Sequence, residues 1–113
     1  MLTKVKGSEL MLGAGRTIKF EGEGYGSGVS FFLVDNDPGQ GPGLHRHPYS
    51  ETWVVLEGEA IVRADGEAHP AVVGDILVVE AGTPHQFRAA GSGRLRMMCI
   101  HASPRFHQEN LEA

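Results

Sequence analysis

A single cysteine, Cys99, among 113 residues excludes an intrachain disulfide and fits a reducing compartment. No apolar run approaches the ~18 residues of a membrane-spanning helix; Ile76–Val79 is typical of what the chain offers. The opening MLTKVKGSEL lacks the apolar stretch of a signal peptide, so the expected location is cytoplasmic, with no membrane partner. Ten Lys and Arg stand against fourteen Asp and Glu, a formal charge of −4, and no basic cluster breaks that balance. Nucleic acid is therefore excluded as the main partner. A sustained helical period is also missing throughout.

Glycine, by contrast, is abundant: sixteen residues, twice the average share of about 7%. Most of these glycines fall between short apolar runs, the punctuation of many strands joined by turns. A chain of this length suits one domain with one core, spanning 1–113. Residues 1–15 show no period and read as an arm, able to add a strand to a neighbouring sheet. Arg16–Glu21 alternates, and Val29–Asp35 (VSFFLVD) is rich in β-branched and aromatic residues; both are predicted strands. NDPGQGPG follows as a turn or extended entry. Further strands are predicted over Glu51–Leu56, Ala60–Ala64, Glu67–Val73, Ile76–Glu80, His85–Ala89 and Arg94–His101. Asp65-Gly66 predicts a type I′ hairpin, and Pro70 confines the strand after it to an edge. Ser103–Ala113 reads as a turn of helix or a polar tail. Some eight short strands at this spacing form a β-sandwich or barrel.

The chemistry concentrates in Gly39–Gly58, GQGPGLHRHPYSETWVVLEG. His45, His47, Glu51, Trp53 and Val55 share odd parity and would line one face of an extended strand. Two imidazoles and a carboxylate make poor core, since burying an unpartnered polar group costs roughly 2–7 kcal/mol. A bound metal ion removes that cost.

As spacing, the stretch reads Gly39, five residues, His45, one, His47, three, Glu51, six, Gly58. It resembles the first motif of the cupin family, small single-domain type. After fifteen more residues, Gly74, Asp75, Gly82 and His85 fall where that family's second motif, here 74–89, has them. Glu80 stands where the family usually has proline and Ala89 where it often has asparagine; neither is a ligand position. The resemblance spans Gly39–Ala89, about half the chain. It implies an all-β fold, a jelly-roll barrel or double-stranded β-helix. It also implies that His45, His47, Glu51 and His85 ligate one divalent ion. Such mixed imidazole and carboxylate donors suit Fe, Mn, Ni, Cu or Zn, and four protein ligands on a six-coordinate ion leave two positions for water, dioxygen or substrate. The resemblance further implies a homodimer, commonly built by strand exchange between N-terminal arms.

Around those ligands, Trp53, Phe31, Tyr49, Phe87 and His101 are the candidate pocket residues. Trp53 is equally suited to filling the core. One of Phe31 and Phe32 faces inward, since they lie on opposite faces of one strand. Tyr49 sits at ligand parity beyond Pro48, and His101 ends the last strand near the cavity mouth. His69 and His107 are expected in solvent, Arg46 and Arg88 to point outwards, and Cys99 to be buried rather than reactive. The expected activity is that of a metal-dependent enzyme on a small organic molecule, dioxygenase chemistry first, with Glu51 as ligand and proton acceptor. Isomerase, decarboxylase and polyketide-cyclase activities are alternatives within that class. A non-catalytic metal- or small-ligand-binding module is the alternative outside it.

Overall fold

The computed structural model describes residues 1–112; Ala113, the last residue of the expected tail, lies outside the described residues. Ten strands form two antiparallel sheets. In chain order they are β1 (Ile18–Phe20), β2 (Ser30–Asn36), β3 (His45–Arg46), β4 (Glu51–Glu57) and β5 (Glu59–Ala64), followed by β6 (Glu67–Val72), β7 (Ile76–Val79), β8 (His85–Ala90), β9 (Leu95–His101) and β10 (Glu109–Asn110). One sheet has the order β1-β2-β9-β4-β7, the other β10-β3-β8-β5-β6. The architecture is the expected all-β jelly roll, or double-stranded β-helix.

Turn chemistry accounts for the boundaries. Asp65 and Gly66 both take positive φ, 53° and 76°, as a type I′ hairpin between β5 and β6 requires. Pro70 lies in β6, at the sheet's edge, where its missing N–H costs no ladder bond. Gly41 has a different reason to be glycine: a Cβ there would lie 1.8 Å from the Phe87 carbonyl oxygen. The segment 39–41 thus runs against the end of β8, with Gly39 N–H donating to Ala89 and Ala89 N–H donating to Gln40.

Period-two alternation places the core. Inward from β4 and β9 come Trp53, Val55, Met97 and Cys99, all essentially inaccessible, and β5 and β8 supply Val62, Ala60, Phe87 and Ala89 from the facing sheet. The outer face of the first sheet is also apolar. Register aligns Phe20, Phe31, Ile100, Thr52 and Val78 in one row, and Ile18, Leu33, Met98, Val54 and Ile76 in the next.

The two ends of the chain are the least regular parts of the fold. The arm makes a 3₁₀ turn over Gly7–Leu10 and a single bridge from Met11 to Ile18, while Met1 and Leu2 stay exposed. The C-terminal segment, expected as a helical turn or polar tail, instead supplies β10, paired to β3 and fastened by two hydrogen bonds from Arg46 to Glu109. Backbone pairing at an available sheet edge overrides the segment's polar composition.

Candidate metal centre

The two sheets converge on a cluster of buried polar groups. Glu51 begins β4 and lies directly opposite His101 at the end of β9. From the other sheet, His45 of β3 lies opposite His85 of β8. His47 follows β3 in a segment held in place by the Gly82 N–H, which donates to the His47 carbonyl. One turn of the second motif is thereby tied to the first. Ligand atoms of His45, His47, Glu51 and His85 all lie within 4.8 Å of one another, and all four residues are buried.

Each imidazole is oriented by a backbone carbonyl. Nδ1 of His45 donates to Gly43 at 2.7 Å, Nδ1 of His85 to Thr83 at 2.7 Å, and Nδ1 of His47 to His107 at 2.6 Å. A neutral ring that donates through Nδ1 carries its lone pair on Nε2, so all three present Nε2 to the centre. There, His47 Nε2, His85 Nε2 and Glu51 Oε1 are buried with no hydrogen-bond partner. Glu51 Oε1 lies 3.2 Å from each of those two nitrogens. Lone pairs pointed at a carboxylate oxygen at that range repel unless a cation or a proton lies between them. The donor set therefore fits a divalent metal ion held by His45, His47, Glu51 and His85.

Glu51 Oε2 is treated in the opposite way. It accepts from Trp53 Nε1–H at 2.6 Å and lies 3.2 Å from His101 Nε2. Tyr49 lies on the far side of His101: its hydroxyl accepts from the His107 N–H at 3.3 Å and contacts His101 Nδ1 at 2.6 Å. A carboxylate only accepts, so the His101 nitrogen facing Glu51, Nε2, carries a hydrogen, and to a neutral ring the Tyr49 hydroxyl donates at Nδ1. A one-way chain thus runs from the His107 peptide through Tyr49 and His101 to Glu51 Oε2, leaving Oε1 bare. Burial pushes the Tyr49 phenol up, so it keeps the proton this chain needs.

Electrostatics follow from the same contacts. Burial opposes the Glu51 charge, but the His101 N–H, joined by His47 and His85 wherever a proton lies on their Nε2, outweighs it and holds the carboxyl well below the usual range. For His47, burial opposes protonation, while Glu51 and the His107 carbonyl more than offset it and raise its pKa. His45 is lowered, by burial first, which keeps it neutral.

A cavity of about 680 Å³ opens beside the cluster. Among the candidate pocket residues, Phe87 and His101 line it together with His45 and Glu51. Trp53 is fully buried behind Glu51, serving as hydrogen-bond donor and core. Tyr49 stacks on His47 at 5.0 Å and reaches the site through His101. Phe31 is a correction: it stacks on Phe20 at the outer face, and its neighbour Phe32 lines the cavity instead. Strand parity allowed either residue, and only the pairing of β2 with β9, Phe32 opposite Cys99, decides between them. The sequence also leaves unmarked the cavity residues Asn36, Gln40 and Gln108, and the His107 backbone, whose exposed side chain matches its expected place in solvent.

The family model described as a cupin domain matches residues 32–101. The chain is a cupin. Over 68 residues it is 40% identical to the polyketide synthase CurC of Streptomyces cyaneus, covering 59% of this chain and 44% of that one. It is 28% identical over 64 residues to an oxalate-binding protein of Thermotoga maritima, covering 56% of this chain and 53% of that one. The chain thus spans about half the length of these curated relatives. Among solved structures, an uncharacterised protein with a double-stranded β-helix domain from Klebsiella pneumoniae superposes with a TM-score of 0.75. It is 22% identical, with 97% of this chain and 92% of that one covered. This cupin contains no helix long and apolar enough to cross a membrane among the described residues.

Two predictions follow from these contacts. Tyr49→Phe breaks the chain to Glu51 without unfilling the core, and should weaken cobalt(II) binding about tenfold in a competition titration. For pH, His47 has a raised folded pKa, so its share of stability is full below its unfolded value and lost as pH rises through the folded one. The thermal midpoint of the metal-free protein should therefore fall between about pH 6 and 8. The cobalt-loaded protein should move the other way, because the ion displaces that proton. Calorimetric scans of both forms check the crossing trends.

Proposed function

We propose that this cupin is a metal-dependent enzyme acting on a small organic molecule, with dioxygenase chemistry as the reaction. The observation that carries this reading is the convergence of bare Nε2 and Oε1 atoms behind a cavity large enough for a substrate, whose wall includes His45 and Glu51 of the donor set. When bound, a redox-capable divalent ion supplies a Lewis acid and a one-electron partner at that wall. The chain's own residues hold the pieces in place. His45, His47 and His85 keep Nε2 directed inward through their backbone partners, and the N–H groups of Trp53 and His101 fix Glu51 by Oε2. Glu51, held well below the usual carboxylate range, is a weak base. Its part in catalysis is then as the anionic ligand rather than as proton acceptor, and the proton of a substrate hydroxyl passes to solvent at the mouth.

The alternative is a metal-dependent binding module without turnover, favoured by the name of the oxalate-binding relative. Polyketide cyclase, isomerase and decarboxylase activities are alternatives within the enzyme class, the first favoured by the relationship to a polyketide synthase. Elemental analysis of protein purified without added metal, followed by oxygen uptake with an enediol, catechol and flavonol panel, separates these readings. Uptake with one substrate, reduced on the order of 100-fold or more in His47→Ala, is expected. A zinc-only protein without uptake overturns the dioxygenase reading, and retention of both metal and activity by the variant overturns the site.

We further propose that two copies pair through the outer face of the β1-β2-β9-β4-β7 sheet, rather than by exchanging arms. Support comes from its two charge-free rows, apolar except for Thr52, which meet a second copy without opposing like charges, and from Ile76 and Val78, 67% and 65% exposed at its edge. Light scattering should give a dimer mass that falls to monomer in Ile76→Lys/Val78→Lys. A monomer before substitution overturns the pairing.

A further inference from the structure

The cavity wall carries an imbalance of charge that bears on what it accepts. Its apolar side is built by Phe32, Val34, Phe87, Leu12 and Cys99, and its neutral polar side by Asn36, Gln40 and Gln108. No lysine or arginine is among its lining residues. The carboxylates in the wall are Glu51, committed to the donor set, and Asp35. Asp35 is already matched: Arg94 and Arg16 both pair with it from beyond the cavity. Nearby, Asp37 takes up the same two guanidinium groups.

A divalent ion with the Glu51 carboxylate has a net charge of +1. A dicarboxylate such as oxalate arrives as a dianion and leaves one negative charge uncompensated among apolar walls, where burying an unpaired charge is costly. A neutral aromatic molecule with two adjacent hydroxyls behaves differently. With one hydroxyl proton released to solvent, such a ligand would carry a single negative charge and would leave the assembly neutral. Size points the same way. About 680 Å³ falls within the range that encloses drug-sized ligands, whereas two carboxyl groups joined by one bond would leave most of it filled with water. Phe32 lines the cavity, its ring held in place by packing at 4.6 Å against Phe106 and at 5.8 Å, edge-on, against His101.

We propose that the cavity takes an uncharged aromatic molecule bearing two adjacent hydroxyl or keto oxygens, at least bicyclic in size, in preference to a small dicarboxylate. Phe32 is the residue that recognises its ring. This rests on the metal reading above.

The test uses cobalt-loaded protein and two probes, a naphthalenediol with adjacent hydroxyls and oxalate, titrated calorimetrically. The diol should bind at least about tenfold more tightly than oxalate. Phe32→Leu, which keeps an apolar side chain of workable size, should weaken the diol about tenfold and leave oxalate within about twofold. Asn36→Arg, which supplies the missing cation, should strengthen oxalate alone, by about tenfold in low salt. Oxalate binding as tightly as the diol overturns the proposal, as does a diol affinity indifferent to Phe32→Leu. The cobalt absorption is recorded before either probe is added. Its absence overturns the metal reading and this inference with it, and is thereby distinguished from a failure of ligand choice alone.

Discussion

The asymmetry of one carboxylate organises this protein. Glu51 is buried with one oxygen saturated by two N–H donors and the other left bare against two imidazole nitrogens. Neither half is stable alone. A buried carboxylate without donors is too costly to ionise, and one saturated at both oxygens has nothing left for an ion. By dividing the two functions between Oε2 and Oε1, the chain keeps Glu51 charged and still leaves one oxygen to face the imidazole nitrogens.

The fold can be understood as the means of meeting this demand from several directions. Glu51, Trp53 and His101 come from one sheet, and His45 and His85 from the other, so the site lies where the two layers face each other. The C-terminal segment binds the layers together at the mouth. A single peptide, that of His107, orients His47 through its carbonyl and starts the Tyr49–His101 chain through its N–H. β10 holds that peptide by pairing with β3, immediately before His47. A polar tail outside both motifs thus acts on two of the donor residues, one through a tautomer and one through a carboxylate rotation.

What could be read from sequence divides along the same physical line. Strands and turns follow from short-range rules, period-two alternation and the positive φ needed at Asp65-Gly66, while the donor set of His45, His47, Glu51 and His85 is what the resemblance to the two cupin motifs implies. The two departures from the motif, Glu80 and Ala89, sit where they do no harm. Glu80 is exposed and its carbonyl still closes the turn to Thr83, while Ala89 packs opposite Ala60. Interactions across many residues were not readable in this way. Phe31 and Phe32 are adjacent, and only the registry of β2 on β9, settled by a partner sixty-odd residues away, sends one outward and the other into the cavity. The parity of Trp53 suits both wall and core, but its hydrogen bond to Glu51, two residues back on the same strand face, shows only in the side-chain geometry. The His107 peptide carries no side-chain signal at all.

Separation of the donor set from the cavity wall has a functional consequence. Mixed imidazole and carboxylate donors bind first-row ions in an order set largely by the ions themselves, so they discriminate little among metals and, by themselves, among substrates. Discrimination then falls to residues that never touch the ion: Phe32 and Val34 on β2, Gln40 in the segment beyond it, and the Arg94 guanidinium that neutralises Asp35. β2 borders the cavity but supplies no donor, and the loop after it leads into the first motif. Changes there can alter ring size, polarity or charge while the Glu51 arrangement stays intact. In this chain the wall carries no cation to match a second carboxylate, and the proposed preference for an uncharged ligand rests on that rather than on the identity of the donors.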